Sequence, residues 1–305
     1  MVKRILYFEN PVFLSLKYRS LQIRFPEETG LELREAPIED LGFIVLDNPR
    51  ITITQALIAA LMENKVGVVT CDSVRMPTGL MLPFNGHTLQ SKVFRLQAEI
   101  SLPLKKQLWK QIVCAKIQNQ KKILECEGLD FAPLDKIANS IKSGDSENCE
   151  GQAAAYYWKT LFPSIPNFVR SREGEPPNNL LNYGYAVLRA IVARAIVSSG
   201  LHPTLGIFHR NQYNAYCLAD DLMEPYRPFV DKAVLGIIAT NQDISGLTKP
   251  IKGRLYGISV DDVLMNGIRR PLMAAISQTI AGFVQTLTNG NRKIPLPEVP
   301  VYATL

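Results

Sequence analysis

The chain has three histidines, and one of them, His209, is followed at short range by three carboxylates, Asp220, Asp221 and Glu224. On a helix, residues three and four apart share a face, which makes Asp221 and Asp220 both neighbours of Glu224. Acids packed this closely repel one another unless a positive charge offsets them, and two carboxylates with an imidazole make a divalent-cation site. The same spacing also suits a solvated helix face, with Arg227 pairing with Glu224 three residues before it. A further acid, Glu150, stands in Asn148-Cys149-Glu150-Gly151-Gln152-Ala153-Ala154-Ala155. There Asn148 caps a helix and Glu150 occupies its first turn, where the dipole favours a carboxylate. Gly151 costs such a turn up to ~1 kcal/mol relative to Ala, and the small residues after it admit another backbone closely. Oxygen ligands with one nitrogen suit Mg²⁺ or Mn²⁺ better than zinc. His87 and His202 sit in loop sequence and read as solvent-facing. No G-x-x-x-x-G-K-[ST] phosphate loop occurs.

These residues have to be positioned by elements of two kinds. From Ile5 to about Phe84 the pattern is strand-like, with clean alternation in Leu21-Gln22-Ile23-Arg24-Phe25. Phe43-Ile44-Val45-Leu46 and Val66-Gly67-Val68-Val69-Thr70, with helical composition from Thr54 to Asn64 between them, predict one β-α-β unit. After His87 the apolar period changes to that of a helix, through Leu89, Val93, Leu96 and Ile100 and then Leu108, Ile112 and Ile117. Helices are predicted over 131–142, 149–162, 178–199, 213–240 and 260–288. The 178–199 segment is the expected core helix, with Leu181, Tyr185, Leu188, Val192 and Ile196 on one stripe. Tyr156, Tyr157 and Trp158 could stack on exposed bases, although aromatics in an apolar helix are more often core. The expectation is an α+β protein with a small β-rich N-terminal domain (1–80) and a linker (81–88). A larger all-helical C-terminal catalytic domain (89–292) and a loosely held Pro-rich tail (293–305) complete it.

A length of 305 residues against a typical ~150 per domain supports two domains. With 47% hydrophobic and 20% charged residues, disordered, collagen-like and disulfide-scaffold classes are excluded. The net charge of +6 is compatible with a polyanionic partner. Candidate phosphate contacts are Arg170 and Arg172, Arg210 and Arg227 beside the acids, and the cluster Lys249, Lys252 and Arg254. Five cysteines without a C-x-x-C pair predict reduced thiols and a cytoplasmic protein. The apolar stretch after Met1 is too short for a signal peptide, and Arg189 and Arg194 interrupt the longest apolar segment, so no membrane association is expected.

Three strings carry a resemblance. They are Glu150-Gly151-Gln152-Ala153-Ala154, Leu180-Leu181-Asn182-Tyr183-Gly184-Tyr185, and Gly206-Ile207-Phe208-His209-Arg210 continuing to Asp221-Leu222-Met223-Glu224-Pro225. In type, order and separation they resemble Cas1, the integrase family of CRISPR spacer acquisition, most closely the versions from type II systems, and the resemblance spans essentially the whole chain. It implies a metal-dependent DNA integrase and endonuclease that joins 3′-hydroxyl ends of short spacer DNA to a repeat phosphodiester by transesterification. It also implies Mg²⁺ or Mn²⁺ on Glu150, His209 and Glu224 as catalytic ligands, with Asp221 as a supporting or alternative ligand. Many family members have Asp where Glu224 stands, which affects ligand geometry. The implied assembly on double-stranded DNA is a homodimer, two of which are bridged by the small partner Cas2. A structure-specific DNA repair nuclease and a non-catalytic DNA-binding scaffold are the alternatives.

Overall fold

A computed structural model describes residues 3–300. They divide into two compact units, 3–90 with 197–200, and 91–196 with 201–300. The first unit holds two four-stranded sheets, in the strand orders β1-β5-β7-β8 and β4-β3-β2-β6. The first sheet is built from β1 (Arg4–Phe8), β5 (Leu41–Leu46), β7 (Gly67–Cys71) and β8 (Pro77–Met81). The predicted β-α-β unit is present: β5 and β7 are parallel with Phe43 opposite Gly67, joined through α1 (Gln55–Glu63). Thr54 caps α1 by accepting the Leu57 N–H. The second sheet contains β2 (Phe13–Lys17), β3 (Ser20–Arg24), β4 (Arg34–Pro37) and β6 (Thr52–Ile53). Alternation in β3 buries Leu21 and Ile23, which join Leu14, Leu41, Ile44, Leu57, Leu61 and Val68 in this unit's core.

The second unit contains α2 (Gln90–Ala98), α3 (Leu102–Cys126), α4 (Ala132–Ser140), α5 (Cys149–Leu161) and α6 (Asn178–Ser198). It continues with α7 (Cys217–Met223), α8 (Arg227–Ala239), α9 (Lys249–Gly257) and α10 (Leu272–Asn289). The central helix α6 buries Leu181, Leu188, Val192 and Ile196. A Cβ on its Gly184 would run into the Val230 side chain of α8, so glycine there sets how closely these two helices approach. α6 is the one helix among the described residues long and apolar enough to cross a bilayer, and most of it is buried within the protein.

Three expectations need correction. The predicted 213–240 helix is broken by a 3₁₀ turn at Glu224–Tyr226, where Pro225 and Pro228 each remove a backbone donor. The C-terminal half is not all helical either. Where a helix was expected from 260, β9 (Asp262–Met265) and β10 (Ile268–Pro271) form an antiparallel hairpin, and α10 starts only at Leu272. Asn266 and Gly267 turn it with φ of 52° and 76°, the two positive values a type I′ turn requires. Third, the described part of the Pro-rich tail is docked, with Ile294 and Val299 buried and Glu298 bridged to Leu264.

Candidate active site

The first turn of α5 is capped twice. Asn148, in a left-handed conformation at φ 54°, accepts the Gly151 N–H, while Asp145 accepts the N–H groups of Cys149 at 2.8 Å and Glu150 at 3.0 Å. A Cβ at position 151 would collide with the Asn148 amide, which accounts for the glycine. This cap fixes Glu150 with its side chain 23% exposed.

The acids after His209 do not form a solvated face, since Asp220, Asp221 and Glu224 are all buried. Asp221 organises the loop before α7. Its carboxylate accepts the backbone N–H groups of Ile207, Phe208 and His209 at 2.5, 3.0 and 3.1 Å, and its Oδ1 lies 2.6 Å from His209 Nδ1. Four donors occupy its two oxygens, and the imidazole is turned so that Nε2 is the nitrogen not engaged by Asp221. The Asp221 hydrogen bond raises the His209 pKa above its ordinary value, against the opposing effect of burial. Trp109 of α3 stacks on Phe208, with centroids 4.3 Å apart, and meets the His209 ring edge-on at 5.8 Å. Asp220 is spoken for by Arg189 Nε at 2.6 Å and Asn214 Nδ2 at 2.7 Å.

Glu224 and Glu150 come together through a residue that the sequence did not single out. Lys116, in the middle of α3, donates a hydrogen bond to Glu150 Oε1 at 2.6 Å, and its Nζ is also 2.6 Å from Glu224 Oε2. Glu224 Oε2 is thus a buried oxygen whose one close neighbour of opposite charge is this ammonium. Glu224 Oε1 accepts from Arg227 Nε at 2.7 Å. Burial alone would push the Glu224 carboxyl up, but Arg227 and Lys116 outweigh it and hold it down to about 2. The same two carboxylates raise the Lys116 ammonium above its ordinary value despite its burial.

Among the described residues no three His, Cys, Asp or Glu side chains converge as a ready-made metal cluster. The two glutamates converge on an ammonium instead. Their fit to a cation follows from that: two carboxylate oxygens from separate segments share one positive centre at 2.6 Å each.

The expected phosphate contacts divide. Arg172 and Arg210 are exposed. Arg170 is tied into its loop through Asn178 Oδ1 and Asn182 Oδ1 at 2.9 and 2.7 Å. Arg227 is paired with Glu224 and lies 4.6 Å from the Tyr185 ring centroid. Lys252 is buried, its ammonium 5.7 Å from the centroid of the Tyr183 ring, so it does not form a surface cluster with Lys249 and Arg254. Arg254 is paired with Asp261 at 2.8 Å. Tyr157 is core, buried and bonded to Asp231.

Comparison with known proteins identifies the family. The sequence profile of the family described as CRISPR associated protein Cas1 matches residues 5–246. A CRISPR-associated endonuclease Cas1 from Neisseria meningitidis serogroup C (strain 8013) is 38% identical over 302 residues, 98% of this chain and 97% of that protein. Among solved structures, a casposase bound to integration product aligns with TM-score 0.76 at 21% identity, covering 96% of this chain and 92% of that one. A chain of a Cas6-RT-Cas1–Cas2 complex aligns with TM-score 0.74 at 19% identity, covering 95% of this chain and 35% of that one. With a profile match over most of its length and a full-length relative at this identity, the chain belongs to the Cas1 family of CRISPR-associated proteins.

Proposed function

We propose that this protein is a metal-dependent DNA integrase and endonuclease of CRISPR adaptation, acting in the cytoplasm on double-stranded DNA. The observation that carries the reading is the meeting of Glu150 and Glu224, from separate helices, on one cation 2.6 Å from each. Glu150, Glu224 and His209 through Nε2 would hold one Mg²⁺ or Mn²⁺. Such an ion, when bound, polarises the scissile phosphate and stabilises the leaving oxygen. Asp221, whose oxygens are filled by the His209 loop, orients the imidazole and is assigned to positioning, not to ligation. Arg227 and Lys116 keep Glu224 ionised at any working pH. In the joining step the donor 3′-oxygen forms a bond to the target phosphorus as the bond to the bridging oxygen breaks. The donor hydroxyl loses its proton and the departing oxygen gains one, so the number of phosphodiesters is conserved.

Two structural neighbours support the partners: a casposase bound to integration product and a Cas6-RT-Cas1–Cas2 complex. Cas2 and DNA are proposed as partners on that basis, and a homodimer, two of which Cas2 bridges, on the family resemblance. The test incubates the protein with Cas2, Mg²⁺ or Mn²⁺, a labelled short duplex and a plasmid carrying a repeat array. Covalent label on the plasmid is expected, lost with a 3′-phosphate donor, in EDTA, and in Glu150→Ala and His209→Ala, while DNA binding by both variants persists. Cutting of branched DNA without joining would favour a repair nuclease, and joining that survives EDTA would remove the metal-dependent reading.

A further inference from the structure

Lys116 is the unexpected member of the site. It is a lysine with its side chain 10% exposed on the buried stripe of α3, and its ammonium stands where two candidate ligands converge. The two carboxylate oxygens, each 2.6 Å from the same nitrogen, are at most 5.2 Å apart. Without a charge between them they would repel at short range in a poorly solvated pocket. A divalent ion taking both oxygens must come closer than 2.6 Å to each, since Mg²⁺ sits at about 2.0–2.1 Å from its ligands. Ion and ammonium therefore cannot occupy this position together.

We propose that Lys116 is a built-in counter-ion that competes with the divalent cation for Glu150 and Glu224. The proposal rests on the metal-site reading above and deepens it. In the metal-free protein Lys116 holds both carboxylates close to one centre, so the ligands are already gathered when an ion arrives. The cost is affinity, because binding must push the ammonium off both carboxylates, toward the side where Glu150 is partly exposed. Lys116 thereby sets how tightly the site holds a metal. A purely structural strut would act with the opposite sign: removing it would let the glutamates drift apart and weaken metal binding.

The test is calorimetric titration of the full chain with Mn²⁺, using Glu150→Gln to identify binding at this site. Lys116→Met and Lys116→Gln, which remove the charge, are expected to bind Mn²⁺ more tightly, within the roughly 5- to 150-fold range of a site-to-site coupling. Lys116→Arg, which keeps the charge, is expected to stay near the wild-type affinity. Equal or weaker binding in the two neutral variants overturns the proposal and leaves the metal site standing. No Mn²⁺ binding by wild type or any variant overturns both. A second measurement needs no variant. The rate at which an amine-acetylating reagent modifies Lys116 in wild-type protein, read by peptide mass spectrometry, should rise at saturating Mn²⁺, and an unchanged or slower rate rejects the displacement.

Discussion

Asp231 of α8 is buried and accepts hydroxyl hydrogen bonds from Tyr157 of α5 and Tyr185 of α6. Burial pushes its carboxyl up to about 7, although the two tyrosines, Arg227 and Lys116 all act to lower it. The folded protein therefore holds a proton here at pH values where an unfolded aspartate, near 3.8, has lost it. Stability contributed at this position falls as pH rises from about 4 to about 7. Asp231→Asn does not titrate, so its melting temperature relative to wild type should climb across that window and level off above it. A pH-independent difference would contradict the assignment. The candidate site residues differ in how legible they are. Glu150, His209 and the acid block stood out because histidine is scarce and the carboxylates are clustered. Their burial did not stand out, because a helix face of acids reads the same whether it meets water or two cations. Lys116 had no local pattern at all: it lies far from its partners in sequence. Its only trace is that a charge interrupts the stripe Trp109, Ile112, Val113, Ile117, Gln120 and Ile123, all buried.

At the level of elements, α3 does two jobs from adjacent turns. Lys116 faces the acids, and Asn119, three residues on, donates from Nδ2 to the carbonyls of Pro225 and Pro297 and accepts the Val299 N–H. Thr279 of α10 donates to the Pro295 carbonyl, and Gln111 bonds Arg292 and Ile294. Prolines made this stretch look loose, yet a strap without many donors of its own can be held by side-chain amides reaching its carbonyls. Asn119→Ala should lower stability by about 2 kcal/mol, given the buried groups left unpaired. It should also speed hydrogen exchange at residues 294–299, and unchanged exchange there would show that the strap is held by other contacts. The hairpin β9–β10 carries a local signal in Asn266-Gly267, a dipeptide suited to a two-residue turn, but the apolar helix that follows dominates the pattern.

Over the whole molecule the excess of six positive charges is less available than it looks. Arg170, Arg227 and Arg254 are engaged within the fold and Lys252 is buried, whereas Arg172 and Arg210 are exposed. Among the candidates, phosphate contact would then fall to Arg172, Arg210 and the likewise exposed Lys249. Arg172→Ala and Arg210→Ala should each reduce the salt slope of duplex binding by about 1. Lys252→Ala and Arg227→Ala should leave the slope unchanged while lowering melting temperature, and the reverse pattern would reject this division. The β-rich and helical halves could be told apart from the change in apolar period alone. Which cations remain free depends on long-range pairing, which no local pattern encodes.

The stack of Trp109 on Phe208, edge-on to His209, also makes the protein its own optical reporter. The chain has two tryptophans, and the other, Trp158, packs instead against Tyr157, Phe162 and Phe168. In Trp158→Phe the remaining indole emission would come from beside the imidazole alone. An imidazolium quenches a neighbouring indole, so the emission should dim on acidification, beginning above pH 6.5 because Asp221 favours the protonated ring. The signal should be restored in His209→Gln. Occupancy of the site could then be followed by light, before any DNA is cut or joined.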